Sequence, residues 1–292
     1  VQIKNGADLI RICRQEKMRL HQVMLEYEKT KSGKSVQEIT ESMKFQLHVM
    51  RESAYQGLNE QLDFRGKMIG GQAKKLHRRL ETAVPLCGHT MARAVSFALS
   101  VTEVNAAMGR IVAAPTAGSC GVIPGVFFSL EHTHQVPEEQ LVQGLLSAGA
   151  IGLVIAKNAS LSGAEGGCQA EIGSASAMAA GAAVDMMGGS VEQSLHGAAI
   201  ALKNLLGLVC DPIAGLVEAP CSKRNGMGTA NALVAAEMAL AGIESVVPFD
   251  EVVQAMYQVG RMIPCALRET AEGGLAATPT GRKWQKEIFQ EG

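Results

Sequence analysis

Along the first 82 residues, apolar positions recur three and four apart between charged ones. Leu20, Met24 and Tyr27 form one such stripe, and Met43, Leu47 and Met50 another. That spacing is one face of a helix, so the section predicts amphipathic helices with solvated outer faces. A Lys-rich break, Lys29-Thr30-Lys31-Ser32-Gly33-Lys34, separates them. Ser35, with Glu38 three residues on, has the spacing of a capping box and predicts the next helix start. Gly70-Gly71 predicts a turn before a further helix from 72.

From Pro85 onward the pattern becomes small and apolar. Residues 1–82 hold 26 charged positions, whereas 141–220 hold eight. Helices are predicted at 90–108, 138–156, 172–187, 191–207, 226–241 and 249–261, where Ala, Leu and Met have good helix propensity. Pro137 before Glu138 and Glu139, and Ser190 before Glu192 and Gln193, have the chemistry of helix starts. Alternating runs of Val, Ile, Thr and aromatics are nearly absent, so the fold class expected is all-α, a compact bundle with Gly-rich loops. The uncharged stretch 141–156 includes Gln143, Gly144 and Ser147 and is shorter than the ~20 apolar residues a bilayer span needs. It predicts a buried helix and no membrane role. A single domain over 1–292 is expected, with a charged helical section about 1–84 and a small-residue core about 85–292.

Composition sharpens this. The chain has 40 Ala and 32 Gly, so a quarter of its 292 residues carry a methyl group or less, which predicts close helix–helix approach. With 27 Lys and Arg against 28 Asp and Glu, and few aromatics, it lacks both the charge and the stacking platforms of a nucleic-acid binder. Seven cysteines, without a hydrophobic signal core in the first ten residues, point to a reducing, cytoplasmic setting. Three familiar motifs fail. Ser32-Gly33-Lys34-Ser35 lacks the earlier Gly of a phosphate loop, since Glu28 stands there. Gly226-Met227-Gly228 has Asn231 in place of the third Gly of a dinucleotide fingerprint. His132-Thr133-His134 is expected in a polar loop without further metal ligands.

Three cysteines stand out by context. Cys168 follows Ser162-Gly163-Ala164-Glu165-Gly166-Gly167; Cys210 precedes Asp211-Pro212; Cys221 follows Glu218-Ala219-Pro220 and precedes Ser222-Lys223-Arg224-Asn225-Gly226. Each falls in a predicted loop or element end, where glycines let backbone amides approach a ligand. Three thiolates from such loops suit a metal centre, most plausibly iron–sulfur, and buried or incidental thiols are the competing reading. A four-iron cube held by three cysteines would leave one iron open to act as a Lewis acid.

The segments Val101-Thr102-Glu103-Val104-Asn105-Ala106-Ala107-Met108-Gly109, Ala114-Pro115-Thr116-Ala117-Gly118-Ser119, 162–174, 207–218 and Ala266-Leu267-Arg268-Glu269-Thr270-Ala271-Glu272-Gly273-Gly274-Leu275-Ala276-Ala277-Thr278-Pro279 closely resemble the α chain of the two-chain, iron–sulfur L-serine dehydratases of bacteria. The resemblance spans nearly the whole chain. It implies a [4Fe-4S] cluster on Cys168, Cys210 and Cys221, L-serine as substrate, pyruvate as product and a separate β chain as partner. Single-chain relatives end in a further Cys that can occupy the fourth iron. Here the sequence reads Ile288-Phe289-Gln290-Glu291-Gly292, so inhibition by such a tail is not expected. Arg65-Gly66-Lys67-Met68-Ile69-Gly70-Gly71 stands where relatives have Thr-Gly-Leu-Thr-Gly-Gly, which removes the loop hydroxyls.

Among site candidates, Arg268 can pair a substrate carboxylate or an internal acid such as Glu269, and Thr116, Ser119 and Ser162 can donate hydroxyls or satisfy local backbone. Lys203 and Asn204 are expected near Cys210, with Lys203 as a solvated charge, and His196 as a hydrogen-bonded core residue. Cys120 is read as a nonessential small residue, and Cys13, Cys87 and Cys265 as core thiols. No general base stands out, so the β chain is its expected source. L-cysteine desulfidation and a closed, non-catalytic redox-sensing cluster are the alternatives.

Overall fold

The computed structural model describes residues 2–64 and 66–290, with the side chain of Gln290 left aside. Arg65, Glu291 and Gly292, on which the two departures noted above partly rest, lie outside the described residues. The charged section forms α1 (Gly6–Glu16), α2 (Leu20–Ser32), α3 (Val36–Asn59) and α4 (Gln72–Thr82). The small-residue section forms α5 (Gly88–Ala106), α6 (Val122–His134), α7 (Glu138–Asn158), the single turn α8 (Gly163–Gly166), α9 (Ser174–Met186), α10 (Val191–Lys203), α11 (Cys221–Leu240), α12 (Phe249–Met262) and α13 (Pro279–Gln290). Among the described residues there is no β-strand, only one isolated bridge between Cys210 and Arg268. The fold is all-α, as the patterning implies.

Local chemistry explains the boundaries. The Ser35 hydroxyl accepts from the Glu38 amide at 3.2 Å, and Glu38 accepts from the Ser35 amide at 2.8 Å, closing the capping box. Ser190 and Gln193 do the same for α10. The Lys-rich break is shorter than expected, because α2 continues through Ser32 and only Gly33 turns the chain, at φ 72°. The helix expected over 191–207 ends at Lys203, and the one expected from 226 starts at Cys221. α6 was not anticipated, and it places His132 and His134 in a last helical turn rather than in a loop. There the His132 ring nitrogen meets the Tyr55 hydroxyl at 2.8 Å.

The small residues do what their frequency suggests. Every residue of α9 is buried, its small and apolar side chains interrupted only by Ser174, Ser176 and Asp185. A Cβ at Gly57 of α3 would come within 2.5 Å of the Ser100 hydroxyl and 2.7 Å of its carbonyl on α5. A Cβ at Gly125 of α6 would reach 2.7 Å from the Ala94 carbonyl. These helices are as close as backbones allow. α7 is long and apolar enough to cross a membrane by composition alone, yet Leu141, Ala150, Ile151 and Val154 on it are fully buried in the common core.

One buried acid fastens the charged section to this core. Asp185 of α9 is 6% exposed and accepts from Ser147 of α7 at 2.6 Å, from Arg19 at 2.9 Å and from the His21 ring of α2 at 3.1 Å. Burial alone would push its carboxyl up, but the bonds from His21, Ser147 and Arg19 hold it below the ordinary carboxylate range. A folded-state pKa below the unfolded value of about 3.9 contributes stability above that pH, and the contribution is lost as pH falls through the lower folded value. Asp185→Asn is therefore expected to cost about 3 kcal/mol at neutral pH, the scale of breaking a buried charge pair. Thermal unfolding followed by circular dichroism should show this gap narrowing below about pH 4, and a constant gap would refute the assignment.

Candidate metal centre

Three separate segments deliver the three cysteines. Gly167, at φ 76°, turns the chain out of α8, and Cys168 then opens a wide π-type turn, Gln169–Gly173, that leads into α9. Such turns interrupt a regular helix and recur at functional sites. Buried Gln169 secures it, accepting from the Gly207 amide and donating to the Met256 carbonyl, both at 2.9 Å. Cys210 lies in the extended stretch after α10. Its amide donates to the Leu267 carbonyl at 2.9 Å, and its carbonyl accepts from the Glu269 amide at 2.7 Å. Cys221 is the first residue of α11.

The sulfurs of Cys168 and Cys210 and one carboxylate oxygen of Glu171 lie within 4.8 Å of one another. Cys221 stands outside that tight group but close enough to feel the charges of Cys168 and Glu171. All three thiols are buried, at 3%, 3% and 7% exposure. A hydrogen bond from Cys210 holds the Cys168 thiol below its ordinary value despite burial, with Arg224 assisting. The same bond, then burial, pushes Cys210 far up, and burial pushes Cys221 up to about 12. Cys168 is thus the most readily ionised of the three thiols, and a metal bound here would displace protons from the thiols it takes as ligands.

The space beside these sulfurs is kept open by glycine. A Cβ on Gly163 would sit 2.6 Å from Glu171 Oε2 and 3.1 Å from Cys210 Sγ, and one on Gly118 would sit 2.9 Å from Glu171 Oε1. Thr116 donates to Glu171 Oε1 at 2.6 Å, and its hydroxyl meets that of Ser119 at 3.2 Å. Burial pushes the Glu171 carboxyl up; the Thr116 bond opposes this and the charge of Glu269 adds to it. Asn225, fully buried on α11, joins the neighbouring walls. Its oxygen accepts from the Gly121 amide at 2.9 Å, and its nitrogen donates to the carbonyls of Gly118 at 2.8 Å and Cys221 at 3.0 Å.

Of the residues singled out from sequence, Cys168, Cys210, Thr116 and Ser119 gather around Glu171, with Cys221 adjoining. Ser162 caps α8, its carbonyl accepting from the Gly166 amide at 2.9 Å. Arg268 is joined to Cys210 through the backbone bridge, but its guanidinium reaches the Glu165 carbonyl at 3.4 Å. It lines a cavity of about 550 Å³ with Glu165, Gln169, Tyr257 and Arg261, and no cysteine or Thr116 borders that cavity. Lys203 is half-buried, and its ammonium donates to the Ser245 carbonyl at 2.6 Å rather than standing as a free surface charge. Asn204 donates to Asn231 instead, at 2.9 Å. His196 accepts from the Ser245 amide, as a hydrogen-bonded residue should. Cys13 and Cys120 are buried, whereas Cys87 and Cys265 are exposed, because each lies at the start of an element, before Gly88 and after Pro264, on the surface. Glu171, Arg224 and Asn225 were not expected. The available signal was their helical offset of three or four residues from Cys168 and Cys221.

An all-α chain thus gathers Cys168, Cys210 and Glu171 in one buried, glycine-lined place, with Cys221 adjoining. The chain belongs to the serine dehydratase alpha chain family, whose sequence profile matches residues 15–276. It is 50% identical to the probable L-serine dehydratase alpha chain of Bacillus subtilis, over 98% of this chain and 95% of that one. It is 45% identical to the L-serine dehydratase alpha chain of Peptoniphilus asaccharolyticus, over 99% of both. An L-serine dehydratase of Streptomyces coelicolor is 39% identical over 94% of this chain, which spans only 60% of that protein.

Proposed function

We propose that this chain is the catalytic subunit of an L-serine dehydratase, working with a separate β chain and converting L-serine to pyruvate and ammonia in amino-acid degradation. The observation that carries the reading is the convergence of Cys168, Cys210 and Cys221 on a pocket where Gly163 and Gly118 leave room beside a carboxylate. Three buried thiols, one of them held below its ordinary pKa, fit a [4Fe-4S] cluster held by three cysteines. A four-iron cube is wider than a single ion, so it suits a third cysteine set back from the other two. When bound, the cluster supplies an iron without a protein ligand, a Lewis acid for the substrate's carboxylate and β-hydroxyl.

The chain's own groups do the rest of the positioning. Thr116 fixes Glu171 through Oε1, which aims Oε2 past Gly163 toward the cysteines, where it can accept from the substrate ammonium. Ser119 backs Thr116, and Ser162 sets the turn that presents Gly163. Arg268, with Arg261, offers a guanidinium pair at the neighbouring cavity, where a carboxylate approaching the pocket would first be held. The α-proton is taken by a base that the β chain brings. Loss of the β-hydroxyl as water leaves an enamine, whose imine form hydrolyses to pyruvate and ammonia. The described cysteines are all unpaired, which supports a reducing, cytoplasmic setting.

The test is anaerobic reconstitution with iron and sulfide, followed by mixing with the β chain. Iron and sulfide near four per α chain, with pyruvate formed from L-serine faster than from L-cysteine, are expected for a [4Fe-4S] dehydratase. Faster turnover of L-cysteine would make the chain a desulfidase. A stable cluster whose EPR spectrum ignores L-serine, without turnover, would make it a redox sensor.

A further inference from the structure

Arg224 lies one helical turn after Cys221 on α11, and its side chain is only 14% exposed. Its Nη1 donates to the Val209 carbonyl at 2.8 Å and to the Cys168 sulfur at 3.5 Å. The same nitrogen lies 2.8 Å from Asp211 Oδ1, whose side chain is 4% exposed. An Nη1 group carries two hydrogens, so the carbonyl and the sulfur take them and the Asp211 contact is ionic. Consistent with this, Asp211 Oδ1 has no hydrogen bond, while its other oxygen accepts from the Leu275 amide at 2.8 Å.

One guanidinium therefore touches all three cysteine segments. It belongs to the Cys221 helix, grips the residues on either side of Cys210, and reaches the sulfur of Cys168. Through Asp211 the tie extends to the 274–275 loop, where a Cβ on Gly274 would strike the Asp211 carboxylate. All of these contacts are made by the one nitrogen Nη1, whose direction the planar guanidinium fixes; a lysine would keep the charge but carry it on a flexible stem.

We propose that Arg224 is a positioning residue for the metal centre: it holds the three cysteine segments in register before the cluster arrives and donates a charged N–H···S hydrogen bond to Cys168 afterwards. The inference rests on the cluster reading given above. Outer groups that orient metal ligands commonly account for 10–100-fold in metal retention, and hydrogen bonds to cluster sulfurs help set the reduction potential.

The experiment uses the reconstituted αβ enzyme with Arg224→Gln, Arg224→Lys and Asp211→Asn. Iron loss to a chelator is followed by visible absorbance, and the cluster's reduction potential by EPR-monitored titration. Arg224→Gln is expected to lose iron about 10–100-fold faster than wild type. Its potential should shift negative, because a cation and a sulfur hydrogen bond are both gone. Arg224→Lys, which keeps the charge, should restore most of the potential but not the retention. Asp211→Asn should speed iron loss while leaving the potential nearer wild type. A purely structural role for Arg224 would move retention and leave the potential unchanged, and that result overturns the hydrogen-bond half of the proposal. Wild-type retention in Arg224→Gln overturns the rest. If Arg224→Gln does not fold, Arg224→Lys decides, since wild-type retention there removes the need for the guanidinium. A wild-type chain that takes up no iron is a separate result, and it fails the cluster reading itself.

Discussion

Cys210→Ser is expected to abolish iron retention and serine turnover together. A serine hydroxyl has nearly the size of the thiol but does not supply the soft thiolate that iron–sulfur chemistry selects. The backbone at 210 is pinned on both sides, by the Leu267 carbonyl and the Glu269 amide, so the segment should keep its place without the sulfur. The variant should fold, which circular dichroism checks, and still fail to load after anaerobic reconstitution. Cys120→Ala is the matched control. Cys120 is fully buried, burial pushes its thiol up to about 12, and it is not in the tight group of Cys168, Cys210 and Glu171. It should load and turn over as wild type does. A Cys210→Ser protein with full iron and full activity would sink the assignment of this pocket.

How far the site could be read from sequence follows from what local patterns carry. Cys168, Cys210 and Cys221 are conspicuous because Gly and Pro surround them, and the structure places one of those glycines, Gly163, where a side chain would crowd Glu171 and Cys210. Glu171, Arg224 and Asn225 were equally present in the same quoted stretches, but their meaning depends on helical geometry. With Cys221 in a loop or element end and a helix expected only from 226, nothing put Arg224 on its face or Asn225 one turn away. Once α11 begins at Cys221, both follow. The π-type turn at 169–173 similarly decides where Glu171 points, and no hydrophobic period signals it. α6 carries Pro124 and Gly125 inside it and Gly121 at its N-cap, residues that do not announce a helix. Pro124 actually sits in the first turn, where no intrahelical N–H is needed, and Gly125 lets α5 approach. Arg268 shows the opposite limit: its backbone bridges to Cys210, but only its contact with the Glu165 carbonyl reveals which way its guanidinium turns.

Glu171→Gln is expected to keep the cluster and lower kcat/KM for L-serine about 10–100-fold, the scale of losing one charge-assisted hydrogen bond of 1.5–3 kcal/mol. Glutamine retains an oxygen to accept from Thr116, so the side chain should stay in place. What changes is the second position, which becomes an uncharged donor where the ammonium needs an anionic acceptor. The substitution has an independent signature in the metal-free protein. The charge of Glu171 helps push the Cys210 and Cys221 thiols up, so its removal should let them deprotonate more readily. Metal uptake by Glu171→Gln should then set in at lower pH than in wild type, because ligand thiols must lose their protons to bind. Iron content after reconstitution, kcat/KM and the pH dependence of uptake form one set of measurements. Unchanged kcat/KM would remove Glu171 from substrate binding. Loss of iron in step with activity would instead make Glu171 a ligand beside Cys168 and Cys210, an arrangement their mutual 4.8 Å spacing also permits.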